Sequence, residues 1–267
     1  LIYASQIEDK AAISELKYRL GQLLQIQGDV TSAYLFYQEA IEVVEQILDN
    51  LSHDQSRIGV IGTNQHFYQA MVHCCIALGN APEAFHYVQR AKSRAFIDLL
   101  LRSNMESKNF SDQPITVTQI QARLAVDAAI IEFFATGSGG VNNEMLDNIP
   151  ADAAILRSFL FPPEALFAFV VRKEELQIVE FRISQSLIAQ QYFYAHNQRL
   201  RGSDPKPNQP LSSLARWHQL DKQLFEPLRP FLKQIDHLFI APYGILHYLP
   251  LHALSATGQI IDNQSTT

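Results

Sequence analysis

Residues 20–40, LGQLLQIQGDVTSAYLFYQEA, and residues 71–91, MVHCCIALGNAPEAFHYVQRA, share one pattern of small and apolar positions. Seven positions correspond after a shift of 51 residues, and the spacings between neighbours are 1, 3, 4, 5, 4 and 3 in both stretches. The matched pairs are Leu20/Met71, Gly21/Val72, Leu24/Cys75, Gly28/Gly79, Ala33/Ala84, Tyr37/Val88 and Ala40/Ala91. Recurrence at a fixed period is typical of repeat architectures, so we predict helical repeats in the N-terminal part of the chain.

Each repeat has residues that would end the first helix of a hairpin and begin the second. Gly28 and Gly79 stand where a first helix would end, because glycine readily adopts the left-handed backbone conformation that closes helices. Asp29 and Asn80 follow directly and are predicted to cap the second helix, and Asn80 with Glu83 has the spacing of a capping box. The alanines at the matched positions would let the two helices of each hairpin approach closely.

This pattern resembles the tetratricopeptide repeat (TPR), in which small and bulky residues occupy corresponding places. The family's period is about 34 residues, and the 51-residue period here leaves 17 extra residues around Ile47–Asn64. Longer helices or a longer turn would absorb them. Because such arrays usually need three repeats for stability, we expect further repeats before Leu1, with Leu1–Asp9 as part of a helix.

The resemblance implies a superhelix whose concave face binds a protein or peptide partner. Side chains one turn apart on the first helices would line that face. We therefore predict Tyr18 and Gln22 of the first repeat, and Gln69 and His73 of the second, as partner-binding residues. The alternative is that these are ordinary solvated side chains.

Composition and charge exclude several classes of function. The chain has 267 residues, is 47% hydrophobic and 18% charged, and carries a net charge of −6, which is typical of a folded soluble protein. The negative charge is divided evenly about residue 110, so no basic half exists to bind nucleic acid. No apolar run could span a membrane and no signal peptide is recognisable. Adjacent cysteines, Cys74 and Cys75, rarely form a relaxed disulfide, and a cytoplasmic location is expected.

Residues after the repeats are predicted to form an α/β domain, because helices and strands alternate around an apolar strand. The polar segment 103–114 predicts a linker, which divides the chain into domains at 1–102 and 115–267. The predicted elements are helices at Thr116–Ala125, Ser184–Arg201 and Ser213–Lys233 (interrupted near Pro227 and Pro230), strands at Ala128–Phe134, Leu166–Val171, Leu176–Phe181 and His237–Ala241, and loops at Thr136–Asp152 and Gly202–Pro210. The second and third strands flank a charged turn and predict a hairpin, and the last strand is expected to be buried.

The segment 238–254, LFIAPYGILHYLPLHAL, resembles the CHAT domain, a caspase-like domain that follows TPRs in many bacteria. That family has a strand, then Pro-Asp-Gly, then Leu-His-x-Leu-Pro-Phe-x-x-Leu. The run Lys92–Leu101 and the strands AAIIEFF and LFAFVV also match it. Tyr243 replaces the family's aspartate, and about 30 residues separate Phe134 from Leu166 where the family has a tight turn. The implied fold class is an N-terminal α–α superhelix followed by the front part of a caspase-like α/β domain.

The same resemblance implies a cysteine peptidase, in which a thiolate attacks the peptide carbonyl and a histidine moves the proton. The family's catalytic residues follow the matched segment, and no cysteine occurs after Cys75. Cys74 and Cys75 fall within the repeat, where a buried cysteine is a small inert hydrophobe. His247 is better explained by a role in fixing the turn after the strand, and His252 by packing or by a position on the surface. We therefore predict no catalytic residue, no metal and no cofactor in this chain.

Two main functional hypotheses follow. The first is a repeat sensor joined to the incomplete front half of a CHAT-type cysteine peptidase, a segment that binds a protein partner and is itself inactive. The alternative is a non-catalytic TPR interaction scaffold, and a weaker third reading is a complete regulatory protein ending near residue 267. A downstream histidine and then a cysteine, each after an apolar strand, would favour the first. An unpaired edge at strand 237–241 further predicts that the isolated chain self-associates.

Overall fold

The computed structural model describes residues 9–50, 54–102, 114–137, 164–183, 187–189, 213–249 and 251. Contacts divide the chain into two compact units. One comprises Leu1–Ile120 with Thr136–Pro163, and the other comprises Gln121–Ala135 with Glu164–Thr267. The predicted linker at 103–114 lies outside the described residues except for its last position, as does all but Asp9 of the helix expected at Leu1–Asp9.

Helices form two hairpins in the first unit. They are α1 (Lys10–Ile26) and α2 (Val30–Asn50), then α3 (Asp54–Ala77) and α4 (Ala81–Arg102). The predicted helix hairpins are therefore confirmed. The extra residues of the 51-residue period lengthen the helices, since α2 has 21 residues and α3 has 24. Long helices, and not a long turn, account for the departure from the shorter period.

Both hairpins turn through the same hydrogen-bonded motif. Gly28 and Gly79 have φ values of +87° and +71°, which glycine adopts without steric cost. The amides of Asp29 and Asn80 each donate to a carbonyl five residues earlier at 2.9 Å, and the glycine amides donate three residues back at 3.1 and 3.0 Å. This is Schellman closure of a helix, at positions separated by the repeat period.

The residue after each glycine caps the second helix of its hairpin. Asp29 Oδ1 accepts a hydrogen bond from the Ser32 amide at 3.1 Å, and Asn80 Oδ1 accepts one from the Glu83 amide at 3.3 Å. Hydrogen bonds from the Ser32 side chain and amide lower the pKa of Asp29. The two predicted caps are thus confirmed. The matched alanines pack between the helices as expected, each at most 3% exposed: Ala33, Ala40, Ala84 and Ala91.

After residue 114 the chain forms a short helix and a sheet with associated helices. These elements are α5 (Val117–Arg123), β1 (Ala128–Thr136), β2 (Ala165–Val171), β3 (Leu176–Phe181), α6 (Ser213–Leu224), a 3₁₀ turn (Arg229–Phe231), β4 (His237–Ala241) and a second 3₁₀ turn (Gly244–Tyr248). The order of the described strands is β3-β2-β1-β4. Strands β1 and β4 are parallel, and β2 and β3 are antiparallel.

Most sequence predictions for this part agree with these elements. The β2–β3 hairpin closes with the Arg172 amide donating to the Glu175 carbonyl at 2.8 Å. Helix α6 ends before Pro227, and Pro230 lies in the 3₁₀ turn that follows. Residues 187–189 are helical, and the rest of the helix predicted at Ser184–Arg201 lies outside the described residues, as do 138–152 and the loop at Gly202–Pro210.

One prediction about the sheet is wrong. Strand β4 was expected to be buried, but Phe239 is 58% exposed and His237 is exposed as well. One core cluster lies on one face of the sheet, where Ile131 and Phe133 of β1 pack with residues of β2 and α6. Residues of β1 and β2 on the opposite face, among them Phe134 and Phe169, are fully buried as well. Leu238 and Ile240 lie against that core, half-buried. Side chains alternate between the two faces along a strand, so His237 and Phe239 point away from this cluster and stay exposed on the last strand of the described order.

Candidate functional site

Tyr18 and Gln22 lie one turn apart on α1, as predicted, but they are only 1% and 6% exposed. The Gln22 amide nitrogen donates to the Tyr18 hydroxyl at 2.8 Å. The Tyr18 ring stacks on Phe67 of α3, with centroids 4.7 Å apart, and meets Tyr37 of α2 at 5.7 Å. Burial raises the pKa of the Tyr18 hydroxyl. Tyr18 is therefore part of the packing that joins the two hairpins.

The corresponding residues of α3 are also largely covered. Gln69 is 8% exposed, and His73 is half-buried with its ring already hydrogen-bonded within its own unit. Of the four residues predicted to line a partner-binding face, Tyr18, Gln22 and Gln69 are thus buried. The Tyr18 ring is covered because it packs on α3. The Gln22 side chain bonds to Tyr18 and Arg19 on its own helix, so these polar groups are satisfied inside the unit. His73 keeps part of its surface accessible.

A polar rim, which we define as Glu15, Arg19 and His66, borders the buried pair. Arg19 donates from Nε to Glu15 Oε1 at 2.7 Å and from a terminal nitrogen to Gln22 Oε1 at 3.0 Å. The other Glu15 oxygen lies 3.7 Å from His66 Nε2 on α3. The three side chains retain 43%, 31% and 29% of their surface, respectively. The polar rim thus crosses from the first hairpin to the second and stays accessible.

The repeat pattern itself could have identified this rim. Glu15 and His66 are separated by 51 residues, so they occupy equivalent positions on α1 and α3. Arg19 follows Glu15 by four residues, a spacing at which opposite charges pair on a helix. The prediction instead selected positions three residues further along, which the packing of α1 on α3 covers.

A second polar cluster joins α2, α3 and α4. Arg90 donates to Glu45 Oε2 at 2.6 Å, and the Tyr68 hydroxyl donates to Glu45 Oε1 at 3.0 Å. The Arg90 guanidinium also lies 4.9 Å from the centre of the Tyr87 ring. The Arg90 and Glu45 side chains are 18% and 23% exposed. A charge pair that is partly desolvated and held by further hydrogen bonds fixes the packing of these helices.

The two cysteines lie side by side on α3 and are fully buried. The Cys74 thiol donates to the Val30 carbonyl at 3.3 Å. Burial raises the pKa of Cys74 to about 12 and raises the pKa of Cys75 as well. The thiolate is the nucleophilic form of cysteine, so both residues are held in the unreactive form at neutral pH. This agrees with their predicted role as small apolar residues.

The described part of the segment that resembles the CHAT domain contributes to packing. Gly244 has a φ of +55° at the start of a 3₁₀ turn, and Leu246 within that turn is fully buried in the core. The Tyr243 ring lies 5.1 Å from that of Phe134. His247 is exposed, and His252 lies outside the described residues.

The described residues contain neither a metal-binding cluster nor a membrane-spanning helix. Within the described ranges, no three His, Cys, Asp or Glu side chains are grouped so as to hold a metal ion. None of the described helices is long and apolar enough to cross a membrane. Comparison with known protein families, curated proteins and solved structures finds no match to this chain. The repeats and the polar rim are therefore the features that bear on function.

Proposed function

We propose that the chain binds a protein or peptide partner through its helical hairpins and does not itself cleave peptide bonds. The observation that supports this most directly is the recurrence of one hairpin, with the same Schellman turn and the same cap, after 51 residues. Stacked hairpins of this kind present extended surfaces on which partners bind. The TPR-type role is carried over from the sequence resemblance.

The polar rim together with His73 is the part of this surface that suits a partner best. Arg19 and His66 supply hydrogen-bond donors and Glu15 supplies an acceptor, on two neighbouring helices. Side chains fixed on helices lose little freedom on binding, which favours affinity. An extended peptide segment with backbone amides and a carboxylate is the matching ligand, since the Arg guanidinium and the imidazole N–H of His donate to carbonyl and carboxylate oxygens.

We further propose that residues 115–267 form the front part of a caspase-like domain, so that the parent protein couples partner binding to a cysteine peptidase. Two features support this. Strand β4 pairs in parallel with β1, from Ala128 opposite His237 to Glu132 opposite Ala241, and the CHAT-like segment begins within β4 and continues directly after it. The alternative, a scaffold without a peptidase, is favoured by Tyr243, which packs on Phe134 where the family has an aspartate.

The test uses the intact chain and a peptide selected from a display library for binding to it. Isothermal titration would compare the parent with Arg19→Ala and His66→Ala, and with Lys10→Ala as the control, because Lys10 is exposed on α1 away from the rim. We expect each rim variant to weaken binding about tenfold, the loss of one charge-assisted hydrogen bond, and the control to bind as the parent does. Equal affinity in all four chains would contradict the proposed site.

The absence of catalysis is tested separately with a fluorogenic peptide mixture. We expect no turnover above a buffer blank, because both thiols are buried and protonated. Reproducible turnover that Cys75→Ala abolishes would overturn this part of the proposal and leave partner binding untouched.

A further inference from the structure

The first hairpin exposes an apolar stripe on α1. Leu16, Leu20 and Leu23 follow one another at spacings of four and three residues, so they lie along one side of the helix. Leu16 and Leu23 are 41% and 43% exposed, and Leu20 is half-buried. We call these three residues the leading stripe. It is distinct from the polar rim, whose two residues on α1, Glu15 and Arg19, directly precede Leu16 and Leu20 in the sequence.

The equivalent stripe in the second hairpin is completely covered. A shift of 51 residues leads from the leading stripe to Phe67, Met71 and Cys74 of α3, each 0% exposed. Two contacts show what covers them. The Tyr18 ring of α1 stacks on Phe67 at 4.7 Å, and the Val30 carbonyl at the start of α2 accepts the Cys74 thiol at 3.3 Å. The first hairpin is therefore the cover of the second.

We propose that the leading stripe is the docking surface for one more helix hairpin of the same repeat, supplied by the polypeptide immediately before α1. The incoming hairpin should present the same groups that the first hairpin presents to α3. These are an aromatic ring on the first helix of the hairpin and the N-terminus of its second helix. The short connection between α2 and α3 favours a segment of the same polypeptide as the occupant, and not a second copy of the chain. Only residues 51–53 separate α2 from α3, and a connection this short gives a tethered hairpin a high effective concentration.

The test adds one copy of residues 1–51 before Leu1. In this extended chain Val30 of the copy precedes Leu16 by 37 residues, the separation between Val30 and Phe67. Leu23→Cys is then labelled with a maleimide in the parent and in the extended chain, and the parent without the substitution gives the slow background from Cys74 and Cys75. We expect labelling in the extended chain to be slower by about tenfold or more, because the new hairpin covers the stripe.

Stability provides the second readout and the matched controls. The denaturant midpoint of the helical signal should rise in the extended chain. Leu16→Gln with Leu23→Gln should remove that rise, and Leu35→Gln should leave it, because Leu35 is 54% exposed on α2 and outside the leading stripe. The double variant should change the parent little, since its stripe is solvated.

Three results would overturn the proposal. One is unchanged labelling with no rise in the midpoint. Another is an extended chain whose helical signal does not increase. The copied hairpin retains the α1–α2 contacts with which it folds in the parent, so it should add helix if it docks on the leading stripe. The third is protection of the stripe in the parent by a concentration-dependent dimer that Leu16→Gln with Leu23→Gln dissolves, which would assign the stripe to a second copy of the chain.

Discussion

Gly21 and Tyr37 form a small–large pair whose counterpart in the second hairpin is Val72 with Val88. A Cβ atom placed on Gly21 would lie 2.7 Å from both Cδ1 and Cε1 of the Tyr37 ring. That ring is 1% exposed, and its hydroxyl donates to Gln25 Oε1 at 2.7 Å, so it has little room to move. We predict that Gly21→Val and Tyr37→Val are each destabilising but compensate one another when combined, because together they reproduce the packing of the second hairpin.

The magnitudes follow from the contacts. Carbon atoms pack at about 3.5 Å or more, so even a methyl group on Gly21 would be about 0.8 Å too close to the ring, using the 2.7 Å separation. Overpacking of this kind costs about 1–3 kcal/mol, and a valine is expected at the upper end. Truncating a fully buried aromatic residue costs about 3 kcal/mol. Residues in contact couple by about 0.5–3 kcal/mol, so we expect the double variant to lose about 2 kcal/mol less than the sum of the single variants.

The assay is guanidinium unfolding of the intact chain followed by far-UV circular dichroism, which reports mainly on the helices. The only tryptophan, Trp217, lies in α6, and its fluorescence reports separately on the sheet-containing unit. Leu35→Val on the exposed side of α2 controls for the cost of a β-branched residue in a helix, which should stay within about 0.5 kcal/mol. Strict additivity of the two single variants would refute the reasoning that these positions pack against each other as a repeat-equivalent pair.

The remaining predictions concern the caps, the thiols and the exposed strand. Asp29→Ala and Asn80→Ala should each lower the free energy of unfolding by about 1 kcal/mol, with the exposed Thr31→Ala as a milder control; no loss in either would show that the caps are not formed. The pKa of Cys74, raised to about 12, leaves far less thiolate at pH 8 than an ordinary cysteine has, so iodoacetamide should react about a thousandfold more slowly than in denaturant; equal rates would contradict its burial. Phe239→Ser should weaken self-association of the chain in analytical ultracentrifugation, because Phe239 is 58% exposed on the outermost described strand. Tyr248→Ser, at an exposed aromatic outside the strands, should not weaken it, and an unchanged association constant in Phe239→Ser would exclude this edge.

Local signals in the sequence sufficed for much of the fold. Gly28 and Gly79 predict turns because glycine is the residue that readily adopts the left-handed conformation. Asp29 and Asn80 predict caps because a cap depends only on the few residues that follow it. The apolar runs at β1 and β2 are likewise unambiguous. The place of a strand in the sheet is not a local property, because it depends on which strands pair with one another. The apolar sequence of β4 indicated burial, and its place after β1 at the end of the described order leaves Phe239 outside the core.

The candidate site shows the same limit more clearly. Tyr18 and Gln22 are on the predicted helix at the predicted spacing, and both are buried. The Tyr18 ring is covered by its contact with α3, which no pattern within α1 reveals. Helix periodicity defines lines of residues along α1, but it does not say which line meets the next hairpin. Comparison of equivalent positions can supply that information. Once one contact between hairpins is known, the equivalent positions Leu16 and Phe67 identify the leading stripe. The equivalent positions Glu15 and His66 identify the polar rim in the same way.

Hydrogen–deuterium exchange of the intact chain, with and without a saturating display-selected peptide, tests the central claim of partner binding most directly. The account predicts slower exchange in α1 and α3 around the polar rim, and a peptide whose mass is unchanged after incubation. Protection confined to residues 164–251, or a peptide recovered in cleaved form, would contradict it.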